Sequence, residues 1–222
     1  MCGRFAYVAS YEKLKYQFGL THSIEITPRF NIAPGAEVVC VVQTNPGEIQ
    51  GIVLHWGLIP SWTTDRKKLG SLINARAETL FEKPAFREAM KTKRCLMPMS
   101  GFYEWHPEAG VKQPYFFRKM SQDLLAIAAL WDTWQGDGEV IHSCCLITTD
   151  ANTLMLPVHH RMPVILDEQA QAIWLDNSQC DKEQLMELLK PYPHDDLEGY
   201  RVSTLMNRAS FEQPLAIDPL SN

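Results

Sequence analysis

The sequence predicts an α+β fold: one β-rich domain over residues 1–222, with a mostly antiparallel, barrel-like sheet and a few peripheral helices. The apolar runs are short and rich in β-branched and aromatic residues, turn formers separate them at hairpin spacing, and helical patterning is confined to a few brief stretches. A parallel α/β fold would instead interleave a helix with nearly every strand. With 222 residues, 45% hydrophobic and 21% charged, the chain can bury one sizeable core.

In chain order, "EVVCVVQT" (37–44) and "IVLHWGLI" (52–59) read as strands joined through Asn45-Pro46-Gly47. "RCLMPMSGFYEW" (94–105) and "QPYFFRK" (113–119) follow, with the turn at Pro107 to Gly110. "LLAIAALWDTW" (124–134) and "SCCLITTD" (143–150) flank Gly136-Asp137-Gly138, and "MPVIL" (162–166) closes the set. Helical patterning covers Tyr11 to Phe18, Pro84 to Lys93, Asp167 to Asp176 and Asp181 to Lys190. No internal repeat, low-complexity tract or linker interrupts the chain.

No apolar stretch reaches the length of a membrane span, and the first residues lack the basic-then-apolar pattern of a signal peptide, so a cytoplasmic protein is expected. In that compartment the cysteines at 2, 40, 95, 144, 145 and 180 read as reduced thiols. The formal charge of −5 argues against a strongly basic nucleic-acid binder. Residues 61 to 100, however, carry nine Lys or Arg against four Asp or Glu, about +5, leaving about −10 elsewhere. That stretch is either a local basic surface or a solvated helix face.

The opening "MCGRF" puts a cysteine directly behind the initiator methionine. A free cysteine is commonly a small buried hydrophobe. With Met1 removed, Cys2 would instead present an α-amine and a thiol on adjacent carbons, a group able to attack an aldehyde twice. Glu104 lies between Tyr103 and Trp105 in a strand; it belongs either to the solvent face of the pleat or to an apolar pocket that raises its pKa for proton transfer. His159 and His160 should point to opposite sides of an extended chain, so at most one faces a site. The pairs Cys144-Cys145 and His159-His160 lack metal-ligand spacing, and no metal or cofactor is expected. In "LINARAET", Asn74 and Arg76 share a face if extended, with Glu78 next along it; amide and guanidinium suit a carbonyl or phosphate oxygen, or else mark a turn and a surface charge. "FNIAPG" reads as a Pro-Gly turn ending a loop.

The blocks "MCGRF", "RFNIAPG", "WGLIPSW", "LINARAET", "GFYEW", "QPYFF", "LITTDAN" and "HHRMPVIL", in this order, resemble the SOS response-associated peptidase (SRAP) family. The resemblance runs from Cys2 to about Leu166 and continues loosely to "RVSTLMN". It implies a β-rich α+β fold and an N-terminal cysteine, exposed by loss of Met1, that bonds covalently to abasic sites in single-stranded DNA and shields them from cleavage. By motif, Cys2 is then the nucleophile, Asn74 a positioning residue, Glu104 the catalytic carboxylate and His159, first histidine of H-x-R-x-P, the active-site imidazole. Arg4, Arg76 and Arg161 become candidates for phosphate contacts, and Trp62 and Trp105 for stacking against bases. Lyase cleavage is an expected side path through the imine; the family name records a peptidase role, and removal of Met1 is either autocatalytic or the work of an aminopeptidase. The implied protein is a monomer, without metal, cofactor or membrane association, on the nucleoid when DNA-bound. An N-terminal-cysteine amidotransferase is the main rival, but such enzymes need an Asn-Gly oxyanion segment and this chain has no Asn-Gly dipeptide. A non-covalent module for modified bases is the second alternative.

Overall fold

The computed structural model describes residues 2–66, 70, 72–108, 110–178, 180–193 and 195–220. In chain order they form β1 (Arg4–Tyr7), α1 (Tyr11–Phe18), β2 (Arg29–Ile32), β3 (Glu37–Asn45), β4 (Glu48–Trp56), β5 (Asn74–Arg76), α2 (Pro84–Arg87) and α3 (Ala89–Thr92). There follow β6 (Arg94–Met99), β7 (Gly101–Glu108), β8 (Val111–Lys119), β9 (Leu125–Gly136), β10 (Glu139–Asp150), β11 (Arg161–Pro163), α4 (Glu168–Leu175), α5 (Lys182–Leu188) and β12 (Leu197–Arg201).

Local chemistry accounts for most boundaries. At the β9–β10 turn Asp137 and Gly138 both have positive φ, 53° and 76°, the Asp-Gly hairpin geometry whose twist matches the flanking strands. The β3–β4 and β7–β8 hairpins turn through Gly47 and Gly110, each also at positive φ. Ser10, Asp167 and Asp181 cap α1, α4 and α5 by accepting from the backbone N–H of Lys13, Ala170 and Gln184, and α1 ends at Gly19 in the left-handed conformation.

The strands form two sheets. One runs β12-β8-β7-β1-β2; in the other, β10-β4-β3-β6-β9 closes on itself because β9 pairs back to β10, with β11 and β5 appended to β10. Every pairing between these strands is antiparallel except β10 with β4 and with β5. The expected barrel-like α+β architecture is what the chain adopts. Phe5 of β1 meets Trp56 of β4 edge to face at 5.3 Å, joining the two sheets through a continuous apolar core. The strands β1, β2, β5 and β12 were not anticipated, because three to five residues give too little alternation to read.

The basic stretch proves largely internal or paired. Arg94 is fully buried and donates to the carbonyls of Met90, Lys91, Trp174 and Asp176, satisfying the C-terminal ends of both α3 and α4. Lys91 pairs with Glu88, Lys93 with Asp132 and Arg66 with Glu139. Lys67 and Lys68 lie outside the described residues. No described helix is long and apolar enough to cross a membrane.

Arg94→Leu would strand those helix-end carbonyls in the core. It should lower the unfolding free energy by roughly 2–4 kcal/mol in urea titrations. A change below about 0.5 kcal/mol, typical of surface positions, would show that the helix ends find other donors.

Candidate active site

The site is assembled where β1 meets β7. Arg4 lies opposite Tyr103, Phe5 opposite Phe102 and Ala6 opposite Gly101, so the residues ahead of Arg4 approach Glu104 and Trp105. Gly101 suits the crossing because a Cβ there would fall 2.3 Å from the Phe116 ring and 2.6 Å from the Phe117 carbonyl. Along β7, Phe102 joins the main core while Tyr103 and Trp105 pack with β8 and the C-terminal segment.

Glu104 is 3% exposed, which settles the alternative left by its sequence: it is not on a solvent face. Burial raises its pKa, against the opposing positive charge of the amino terminus. Cys2 is fully buried, its Sγ 3.7 Å from the Arg4 carbonyl oxygen. Burial first, and then the charge of Glu104, push the thiol pKa upward. Met1, whose removal the family resemblance implies, lies outside the described residues.

His159 arrives from the other side. Residues 151–160 are not extended: Asn152 Oδ1 accepts from Met155 N, Leu156 N donates to Asn152 O, and His159 N donates to Met155 O. The loop ends are tied where Ala151 N meets His160 O at 3.1 Å. The two imidazoles consequently stack with centroids 4.5 Å apart instead of pointing to opposite sides, correcting the expectation from alternation. His159 Nδ1 lies 3.0 Å from the Arg161 N–H and 3.1 Å from the Arg161 carbonyl. One residue's backbone therefore suits either tautomer of the ring. Burial lowers the His159 pKa and favours the neutral form.

Arg4, Glu104, Trp105, Pro107, Lys112, His159 and Asn207 together line a cavity of about 440 Å³. A comparable hollow of about 490 Å³ beside His55, Arg66 and His142 gathers none of the residues singled out by the sequence. Arg4 stands with its guanidinium 5.8 Å from the Trp105 ring, donating to Asn31 Oδ1 at 2.8 Å.

The other anticipated residues take distinct places. Asn74 and Arg76 form β5 beside β10, but the chain then turns into a short helical turn, so Glu78 leaves the strand face expected for it. Asn74 Oδ1 is buried and meets no hydrogen-bond donor among the described residues, whereas Arg76 is exposed. Arg161 is 6% exposed and its two terminal nitrogens are engaged: they grip both oxygens of Glu78 at 2.7 and 3.0 Å, Asp150 at 2.7 Å and the Thr148 carbonyl at 2.7 Å, while the buried Nε meets no acceptor among the described residues. It binds the "INARAET" segment to the "HHRMP" segment and does not present an open phosphate contact. Trp62 is 55% exposed on a loop pinned by Ile59 N to Ser143 Oγ, Ser61 N to Asp132 Oδ2 and Trp134 Nε1 to Thr63 O. It does not line the cavity.

Asn31, Lys112 and Asn207 escaped the sequence reading. A polar residue inside the short run "RFNI" was the only available signal for Asn31; Lys112 and Asn207 carried none. The six cysteines are free thiols, five of them buried, and Cys40 Sγ lies 3.9 Å from Cys144 Sγ. No group of three or more His, Cys, Asp or Glu among the described residues is arranged to hold a metal ion.

Residues 1–209 match the family described as SOS response associated peptidase (SRAP). The abasic site processing protein YoqW of Bacillus subtilis is 38% identical, with the match spanning 98% of this chain and 99% of that protein. The abasic site processing protein HMCES of Gallus gallus is 31% identical over 75% of this chain and 56% of its own length. A crystal structure of a protein from Bacteroides thetaiotaomicron superposes with a TM-score of 0.87 at 27% identity, covering 99% of this chain and all (100%) of that one.

The raised pKa of Glu104 has a definite sign in stability. The folded state holds this proton more tightly than the unfolded chain, so the stabilising contribution is complete below the ordinary carboxyl range near about 4.3 and is lost as pH rises through the folded value. Glu104→Gln should therefore be at least as stable as the parent at pH 7, with the gap closing or reversing toward pH 4. A variant that is destabilised more at pH 7 than at pH 4 would contradict the assigned direction.

Proposed function

The chain belongs to the SOS response associated peptidase family, and from that footing we propose that it processes abasic sites in DNA, capturing them covalently in single strands through Cys2. The observation that carries this reading is the cavity shared by Arg4, Glu104 and His159, with the buried Cys2 thiol against the Arg4 carbonyl.

An abasic deoxyribose exchanges a closed hemiacetal for an open-chain aldehyde. With Met1 removed, the α-amine of Cys2, with a reference pKa of about 7.7–8.0, adds to that aldehyde through its lone pair. The carbinolamine loses its hydroxyl with a proton, as one water, to give an imine. The Cys2 sulfur then adds to the imine carbon, its proton moves to nitrogen, and a five-membered thiazolidine closes. The net change is loss of one water, with no oxidant or reductant required. An internal cysteine offers only a hemithioacetal and an internal lysine only an imine, so the position at the chain terminus confers persistence as well as reactivity.

Each neighbouring group has a role suited to its environment. Glu104, with its raised pKa, can protonate the departing hydroxyl and receive the amine proton. His159, neutral and held through Nδ1, can offer Nε2–H to the sugar ring oxygen or, in the other tautomer, accept a proton there. The buried Asn74 Oδ1 can take a hydrogen bond from the amine or hydroxyl of the intermediate. Arg4 and Arg76 supply phosphate contacts, and Trp62 and Trp105 stacking surfaces, which gives affinity independent of sequence. Arg161 holds Glu78 and Asp150 in place; contact between it and a phosphate requires the exposed Asp150 carboxylate to give way. A single strand is the fitting substrate, since a stacked duplex would keep the sugar from the buried residue. The imine also allows elimination at the 3′ phosphate, a minor lyase path, and removal of Met1, by the protein itself or by an aminopeptidase, exposes the amine.

The test compares parent, Cys2→Ser and Glu104→Gln on abasic and intact single-stranded oligonucleotides in denaturing gels, with and without borohydride. The parent should give an adduct that survives denaturation without reductant. Cys2→Ser should give one only when borohydride traps the imine, and Glu104→Gln should slow formation by about 10²–10⁴-fold. Stable, reductant-independent adducts from Cys2→Ser would rule out the thiazolidine, and purely reversible binding by the parent would identify a non-covalent module.

A further inference from the structure

The segment that follows β12, to which the family motifs assign nothing, is built into the wall of the cavity. Its short helical turn, Thr204–Asn207, delivers Asn207 to the lining. There the side-chain amide is used at both ends: Oδ1 accepts from Trp105 Nε1 at 2.6 Å and Nδ2 donates to the Lys112 carbonyl at 3.0 Å. An indole N–H only donates and a carbonyl only accepts, so the amide has one workable orientation. The turn itself is held firmly. Met206 is fully buried in a cluster with Ala6, Tyr103 and Phe116, and its carbonyl accepts from Arg4 Nη1 at 3.2 Å. Asn31, 1% exposed, donates through Nδ2 to the carbonyls of Arg208 and Phe211 at 3.0 Å each, while its backbone N–H donates to Glu212.

We propose that Asn207 is a positioning residue: by fixing the Trp105 indole at the cavity edge it sets the plane on which a base next to the lesion stacks. The inference rests on the single-strand reading above. Trp105 is only half-buried, and its ring is bounded by the Arg4 guanidinium and by Tyr103 at 6.5 Å, neither of which engages the indole N–H. Without Asn207 that N–H turns to water, and the ring loses the hydrogen bond that sets its rotamer. The C-terminal segment is thereby part of the nucleic-acid surface, acting through Trp105 and not by touching the reacting atoms.

Two measurements test this. In the free protein, the Trp105 indole N–H resonance, identified by its absence from Trp105→Phe, should shift in Asn207→Ala as its acceptor is replaced by water. With abasic single-stranded oligonucleotide, Asn207→Ala should raise the half-saturating concentration for crosslinking by about fivefold while the rate at saturation stays within about twofold, as expected for lost stacking. In a Trp105→Phe background, which has no indole N–H, the same alanine substitution should add no further loss. An unshifted resonance, losses that add in the double variant, or a fall in the saturating rate alone would overturn the proposal. Failure of the parent itself to crosslink would instead remove the reading on which it rests, an outcome separable from these because the resonance is read without DNA. Should Asn207→Ala melt early, Trp105→Phe alone should raise the half-saturating concentration by a similar factor, and an unchanged value there would equally refute the proposal.

Discussion

Everything at the site depends on one strand pairing, the antiparallel register of β1 on β7. Because Phe5 opposes Phe102 and Arg4 opposes Tyr103, the first residues of the chain are drawn over a strand that carries a buried carboxyl. A slip of one residue would exchange the two faces of β1, sending Phe5 out of its contact with Trp56 and Arg4 into the core. The fold thus protects its chemistry by the same packing that joins its two sheets. A chain terminus is ordinarily the least ordered part of a protein, and here it is tied into a sheet.

The arrangement is costly in free energy, and the surrounding structure offsets that cost. A carboxyl with its pKa raised by burial, a fully buried thiol and a buried amide oxygen that meets no donor among the described residues are each unfavourable on their own. They persist within a fold that rigid polar networks tie together. Arg161 locks Glu78 to Asp150, Asp132 pins the loop that carries Trp62, and Asn31 ties Arg4 to the C-terminal segment. Each network joins segments distant in sequence, so the site's geometry is a property of the whole fold.

That distinction decides what was legible in advance. The long strands, the three hairpin turns and the capped helices follow from local rules, and α1 begins and ends where its pattern does. Cys2, Glu104 and His159 stood out because each is chemically conspicuous where it stands, and the structure brings Glu104 and His159 to one cavity. The stacking of His159 on His160 was not, because a turn capped by Asn152 replaces the extended chain that alternation assumes. Arg94 lay in a stretch that read as a basic surface or a solvated helix face, and Arg161 was a candidate phosphate contact; only tertiary structure reveals that one satisfies two helix ends and the other a pair of carboxylates. The roles of Asn31 and Asn207 were hidden for the same reason, since their partners lie far along the chain.

The account makes Cys2 a reagent whose amine and thiol both end bonded to one carbon of the sugar, and the mass of the product reads that directly. Intact-mass analysis of the complex with an abasic single-stranded oligonucleotide, followed by mapping of the nucleotide-bearing peptide, should show the protein without Met1 plus the oligonucleotide minus one water, with the modification on residue 2. An adduct located on a lysine, or one formed by protein that still carries Met1, would contradict it.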